Sequence, residues 1–239
     1  APTPLSSWPL DLGPDGYLYA TMGHCRNVAS AQRTDDLWGN VLRMTASGDI
    51  PPGNAFSGAG TARCHLSGEV PVGSPPGTQC QEIYAYGFRN PFRFAVDPNV
   101  ASTRLFVNDV GATDWEEVNE ITSAGGNFGW ADREGPCRAS DNTSCDPTPG
   151  YVDPVHWYPH STVGGAITGG AFVPDGVWPV EYDGTYLFGD YVDGKISLLS
   201  SGGPDCRTCD PPTSAYMQTE FLDAPAVVEM AFGPYAGSQ

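Results

Sequence analysis

Two neighbouring residues near the middle of the chain, Arg89 and Asn90, offer the most promising chemistry in the sequence. The Arg89 guanidinium is a planar fork of donors suited to a carboxylate or carbonyl of a ligand, or to clamping a backbone carbonyl in a turn, and the Asn90 amide adds a donor and an acceptor beside it. Gly111 has no side chain, so its backbone carbonyl can approach a cation closely. Glu116 and Glu117 follow Trp115 at a loop-to-strand junction, where a carboxylate can bind a hard cation or cap backbone amides; both readings stay open. Glu82 is a further possible cation ligand, or a solvated charge at a strand edge. His24 follows Gly23 at a strand end, where later copies of the same pattern place Asp109 and Asp190. It reads either as a strand-end polar residue or as a proton acceptor.

Other constellations carry less. His156 and His160 are four apart, but Pro159 and the aromatic pair Trp157-Tyr158 argue against the helix that would put both on one face. Cys206-Arg207-Thr208-Cys209 has CxxC spacing without a second half-site or a βαβ context, which favours a loop disulfide over zinc or redox chemistry. No Gly-x-Ser-x-Gly elbow, Walker loop or dinucleotide fingerprint is present.

The elements that must position these residues are strands. One pattern recurs, an apolar strand, a Pro-centred turn and a second strand ending in Gly or a polar residue. It runs through Leu10 to Tyr19, through Phe94 to Asp109 and through Ala171 to Asp190, and a fourth copy starts at Met230-Ala231-Phe232-Gly233-Pro234. Proline presets φ at the second turn position and Asp-Gly supplies the positive φ that closes a hairpin. The prolines at 14, 98, 174 and 234 lie 84, 76 and 60 residues apart, more than a plain four-stranded blade needs, so long inter-strand loops such as 51–77 and 133–150 must be carried within the blades. A short turn around 29–38 is the best helix candidate. Radial repetition protects sheet edges, which favours a β-propeller; a jelly roll is the alternative. The pattern predicts an all-β chain, an arc of about three to four four-stranded antiparallel blades forming one partial domain over 1–239.

Composition sets the outer limits. Gly (30) and Pro (23) exceed a fifth of the 239 residues, yet 40% hydrophobic and 11% aromatic content is too much for disorder. A net charge of −17 repels phosphate backbones and anionic membranes, excluding nucleic acid as a natural partner, and leaves carboxylates for hard cations such as Ca²⁺. No run is long and apolar enough for a membrane helix, and the start, Ala1-Pro2-Thr3-Pro4, lacks a signal-peptide pattern and reads as processed or cut. Seven cysteines in an acidic chain point to an oxidising, extracellular or periplasmic setting. The simplest pairing is Cys64/Cys80, Cys137/Cys145 and Cys206/Cys209, leaving Cys25 alone, although spacing by itself does not fix it. Asn142-Thr143-Ser144 is a glycosylation sequon in a polar stretch.

The run Glu82-Ile83-Tyr84-Ala85-Tyr86-Gly87-Phe88-Arg89-Asn90-Pro91 resembles the signature of the glucose/sorbosone dehydrogenase family, the soluble quinoprotein sugar dehydrogenases. Asn108-Asp109-Val110-Gly111, Trp115 to Asn119 and Gly125 to Trp130 follow in the family's order, so the resemblance spans about residues 8–234. It implies a six-bladed propeller that binds pyrroloquinoline quinone (PQQ) and Ca²⁺ at the mouth of its channel and oxidises the C1 hydroxyl of a small sugar. Arg89 and Asn90 would then meet the cofactor, and the carbonyls of Gly111 and Ala112, with Glu82 and Glu116 as candidates, would meet the metal. The family's Gly-Pro step is Gly111-Ala112 here. The resemblance also places Leu5, with Ser7-Trp8, where active members carry a His-x-Gly-Gly segment whose His accepts the sugar's proton, and leucine accepts none. Members that keep the fold without the chemistry exist, so the other expectation is a non-catalytic extracellular propeller serving binding, adhesion or assembly. In either case missing blades or another chain would complete the ring.

Overall fold

A computed structural model describes residues 9–25, 27–65, 67–160, 165–209 and 211–233. Three four-stranded antiparallel sheets follow one another along the chain, and each takes its strands in chain order without a Greek-key crossing. The first blade is β1 (Leu10–Leu12), β2 (Leu18–Met22), β3 (Asn40–Met44) and β6 (Ile83–Tyr86), with a parallel ribbon of β4 (Thr61–Ala62) and β5 (Gln79–Cys80) in its long loop. The second blade is β7 (Pro91–Val96), β8 (Leu105–Asp109), β9 (Trp115–Ile121) and β12 (His156–Pro159), with the hairpin β10 (Arg133–Glu134) and β11 (Cys137–Arg138) inserted before its last strand. The third blade is β13 (Ile167–Phe172), β14 (Tyr186–Asp190), β15 (Lys195–Ser201) and β16 (Tyr216–Asp223). The jelly roll is thereby excluded, and the expected helical turn is a 3-10 segment over Val28–Gln32.

The Pro-centred turns join the first and second strands of each blade, as their chemistry dictates. The fourth copy of the pattern also takes its place. Residues 227–232 run beside β13, where the Thr168 hydroxyl donates to the Val227 carbonyl (2.7 Å) and Glu229 lies 3.9 Å from Arg93, although Pro234 lies outside the described residues. The inner strands β1, β7 and β13 and this segment line a cleft of about 430 Å³.

The core sits between blades. Leu105 and Val107 on β8 pack into the cluster with Tyr19, Val41 and Phe88 of the first blade, whereas Phe106 turns the other way into the cluster with Phe172, Tyr186 and Phe188 of the third. Strand residues alternate between faces, so one strand serves both interfaces. Each such buried side chain contributes about 1.5–3 kcal/mol of apolar burial. Close packing also demands glycine at Gly170, where a Cβ would run into the Tyr186 ring and hydroxyl. Asn108 ties the same interface by polar means, accepting from the Tyr186 hydroxyl (3.0 Å) and donating to the Thr168 carbonyl (2.6 Å).

The cystines pair Cys64 with Cys80, Cys137 with Cys145 and Cys206 with Cys209, and Cys25 is free and exposed. Each bridge closes a loop hanging from a blade rather than joining blades. The first belongs to a small cluster with Met22, Leu37, Leu42 and Ile83 that covers the outer side of the first blade.

Candidate active site

The loops that follow the second strands and those that lead into the first strands share one face of the arc, opposite the Pro turns. Arg89 and Asn90 lie there, just before β7, and Asp109 ends β8 opposite Pro91. Both oxygens of the buried Asp109 carboxylate are spent on this loop, accepting the N–H of Arg89 (2.9 Å) and of Asn90 (2.5 Å). The Arg89 guanidinium donates to the Val110 carbonyl (2.8 Å), and the Val110 N–H donates back to the Asn90 carbonyl (3.1 Å). Arg89 and Asn90 are thereby tied to Val110, the residue before Gly111.

Trp130 completes this corner. Residues 125–130 climb alongside β6, with the Gly125, Phe128 and Trp130 N–H groups donating to the carbonyls of Tyr84, Tyr86 and Gly87. That path delivers the indole to Arg89, whose guanidinium carbon stands 5.7 Å from the ring centroid, and to the His24 imidazole, stacked at 6.0 Å. The His24 N–H of the backbone donates to the Arg89 carbonyl (2.9 Å). Burial, reinforced by the charge of Arg89, holds the His24 imidazole below its ordinary pKa and hence neutral at pH 7. His24 Nδ1 and Trp130 Nε1 are both buried without a hydrogen-bond partner among the described residues. Buried polar atoms are ordinarily satisfied, so two orphans around one arginine suit a polar ligand. Strand register corrects one expectation: Met22, the last residue of β2, is level with Asp109 and Asp190, and His24 lies two residues beyond.

The loop at 111–115 is moulded around the buried carboxylate of Glu134. One oxygen of that group accepts the N–H groups of Ala112 (2.6 Å), Thr113 (2.8 Å), Asp114 (3.0 Å) and Trp115 (3.3 Å). A Cβ on Gly111 would strike the Trp115 carbonyl, so only glycine fits. With the amides turned toward Glu134, the carbonyls of Gly111 and Ala112 accept no hydrogen bond from a described residue and are available as hard oxygen donors. The donor set thus fits a quinone acid at Arg89 and Asn90 and a cation at these two carbonyls.

The two carboxylates expected as ligands are each engaged by protein groups, Glu116 beside Gly111 and Glu82 far from it. Glu116 caps amides, one of its two sequence readings: one oxygen accepts from Ile167 (2.9 Å) and Gly111 (3.3 Å), and the other lies 2.5 Å from His160 Nε2. It joins the second blade to the third. Burial pushes its pKa up to about 7, against the Ile167 and Gly111 amides and with help from the charge of Asp190. Glu82 is on the Pro-turn face. It stands at the opposite end of β6 from Arg89, accepts the Cys64 N–H (3.0 Å) and pairs with Arg63 at 3.5 Å, because one strand carries its two ends to opposite faces. Among the described residues no group of three or more His, Cys, Asp or Glu side chains is arranged to hold a metal.

Glu117 faces Asp109 directly across β8 and β9 and accepts from Gly135 N–H and from Asn119 Nδ2 (2.9 Å). Burial raises the pKa of both carboxyls, and the charge of Asp109 raises Glu117 further. His156 and His160 lie on and just beyond a strand and do not meet at a common site. His156 bonds Ser214 (2.9 Å) and Gln218 (3.1 Å), and burial lowers it to about 4. Leu5 and Ser7-Trp8 lie outside the described residues.

A family model described as glucose/sorbosone dehydrogenase matches residues 6–203. The chain belongs to that family. Among relatives of this glucose/sorbosone dehydrogenase family member, the HIPL2 protein of Arabidopsis thaliana is 35% identical over 210 residues, covering 79% of this chain and 29% of that protein. The aldose sugar dehydrogenase YliI of Escherichia coli strain K12 is 33% identical over 115 residues, 48% of this chain and 26% of that one. Solved structures give the same fold at low identity. The PQQ-bound aldose sugar dehydrogenase of Streptomyces coelicolor matches with a TM-score of 0.62 at 23% identity, over 92% of this chain and 50% of that one. The soluble aldose sugar dehydrogenase of Escherichia coli in its apo form matches with 0.60 at 23%, over 88% and 52%. The chain spans about half the length of these structures, and under a third of the curated relatives. It is a β-propeller arc of this family.

Proposed function

We propose that the chain forms the cofactor-holding arc of a PQQ- and Ca²⁺-dependent aldose dehydrogenase, with further blades completing the ring. The observation that carries this reading is the corner of Arg89, His24 and Trp130, where a charge-bearing fork meets two buried polar atoms without partners among the described residues. Arg89 and Asn90 would hold the quinone's acidic edge, and the Gly111 and Ala112 carbonyls would hold the cation. PQQ, when bound, supplies the two-electron acceptor for the hydride from the sugar's C1. With Leu5 where the resemblance expects a base, the neutral His24 would take the proton of the C1 hydroxyl at Nδ1. The three cystines suit a secreted or periplasmic protein.

The test is a spectral titration of the full chain with PQQ in the presence and absence of Ca²⁺, followed by dye reduction with aldoses. Arg89→Ala should weaken PQQ binding at least tenfold, and His24→Ala should keep binding while abolishing dye reduction. Equal PQQ affinity in wild type and Arg89→Ala would place the cofactor elsewhere. Leu5 favours a second reading, a binding module; PQQ or sugar binding by wild type without dye reduction by any aldose selects it.

A further inference from the structure

Pro91 opens β7 without an N–H, so the ladder lacks a donor where that strand begins and holds it through the Asn90 carbonyl alone. The side chain of Asp109 adds a further grip, through the amides of the two residues before the proline. The same position in the third blade is Asp190, which likewise accepts the N–H of Ala166 (3.1 Å), just before β13. Met22 in the first blade has no such group, so a blade of this architecture does not require it. The two aspartates differ in what stands opposite. Asp190 pairs across the ladder with Lys195, and Asp109 with Glu117. Like charges directly opposite in an antiparallel pair destabilise it, the more so when both are buried.

We propose that Asp109 is a positioning residue, its carboxylate clamping the loop of Arg89 and Asn90 against the stability of its own blade because Glu117 faces it. The clamp's relevance to catalysis rests on the function proposed above; the clamp itself does not. In Asp109→Asn one of the two acceptor oxygens becomes a donor, so the amide that faces it loses its bond unless the loop moves.

Amide hydrogen exchange and thermal melting of the full chain without cofactor test this directly. In D109N the Arg89 and Asn90 amides should exchange at least tenfold faster, while the melting temperature falls less than in D190N. At pH 9, where both carboxyls are ionised, E117Q removes the facing charge and leaves the clamp, so the melting temperature should rise with those two amides unchanged; the Asn119 hydrogen bond survives by an amide flip. Unchanged amide exchange in D109N, a fall in its melting temperature as large as that of D190N, or a lower melting temperature in E117Q overturns the proposal. PQQ affinity should drop at least tenfold in D109N. Wild-type protein that binds no PQQ refutes the proposed function and leaves the exchange result to judge the clamp.

Discussion

Asp109 and Asp190 end equivalent five-residue strands in consecutive blades, are both buried, and both accept amides from the segment that leads into their own blade. Their surroundings differ in kind. Asp190 gathers four donors, the Tyr158 hydroxyl (2.7 Å) and the N–H groups of Ala166 (3.1 Å), Val192 (2.8 Å) and Asp193 (2.9 Å), with a lysine across the ladder. Asp109 gathers two amides and the nearby charge of Arg89, with Glu117 across the ladder, while Glu116 is near both aspartates. An electrostatically favourable site is what a purely structural carboxylate needs. The unfavourable one coincides with the loop that carries Arg89 and Asn90, which is where functional demands are expected to override stability.

The largest effect should come from breaking the favourable partner. In Asp190→Asn one carboxylate oxygen becomes an NH₂, so two of the four donors face a donor in a dry site. At the usual penalty for unsatisfied buried groups the change costs about 2–4 kcal/mol. For a chain of this size that is a fall of roughly 5–12 °C in melting temperature. A calorimetric scan showing a fall below about 2 °C would mean that water reaches these donors and that the third blade's clamp is no different from a surface cap.

A second effect separates the blades by pH. Glu116 titrates at about 7 in the folded protein against an ordinary 4.5, and Asp109 and Glu117 are also raised. A carboxyl raised by folding binds its proton more tightly in the native state, so its stabilisation is present at low pH and is lost as pH rises through the folded value. His156, lowered to about 4 from 6.5, acts in the opposite sense, but above pH 6.5 it is neutral when folded and at most half protonated when unfolded, so its effect is small. Between about pH 6.5 and 8 the carboxyls of the second blade therefore dominate. Stability should fall by about 1–2 kcal/mol, seen as a melting temperature lower by about 2–6 °C. Glu117→Gln should flatten that slope. A melting temperature that climbs across this window contradicts the raised values.

Much of this was legible in the sequence because its signals are local. Gly13-Pro14-Asp15-Gly16 and its later copies state their turns in a few residues, and the turns dictate the hairpins that start each blade. The cystines link near neighbours around Gly- and Pro-bearing loops. Arg89, Asn90 and Gly111 meet because they sit at the same ends of strands that are adjacent in one sheet. What escaped was non-local. Trp130 reaches Arg89 only because residues 125–130 add themselves along β6, a pairing with no periodic signal in so irregular a segment. Glu134 fills the nest of amides at 112–115 from an inserted hairpin. Glu82 and Arg89 belong to one continuous motif, yet that motif runs the length of a strand and delivers its ends to opposite faces. Its neighbouring glycine suggests that His24 is level with Asp109, and the hairpin register moves it two residues on.

The smallest effect should come from imposing the second blade's electrostatics on the third. Lys195 lies opposite Asp190, but its ammonium is exposed and reaches Glu220 at 2.5 Å. Lys195→Glu would set a carboxylate opposite Asp190, as Glu117 is opposite Asp109, and would leave Glu220 unpaired. Because Lys195 and Glu220 are in water, screening mutes both changes, and the melting temperature should fall by only about a degree. Adding salt should erase that fall. Glu117, which is buried, should behave differently: the gain from Glu117→Gln should persist in high salt, since mobile ions do not reach between two buried carboxyls. If salt cancels the Glu117→Gln effect as completely as it cancels that of Lys195→Glu, the pair Asp109 and Glu117 is solvated, and the contrast between the blades lies in hydrogen-bond number rather than in charge.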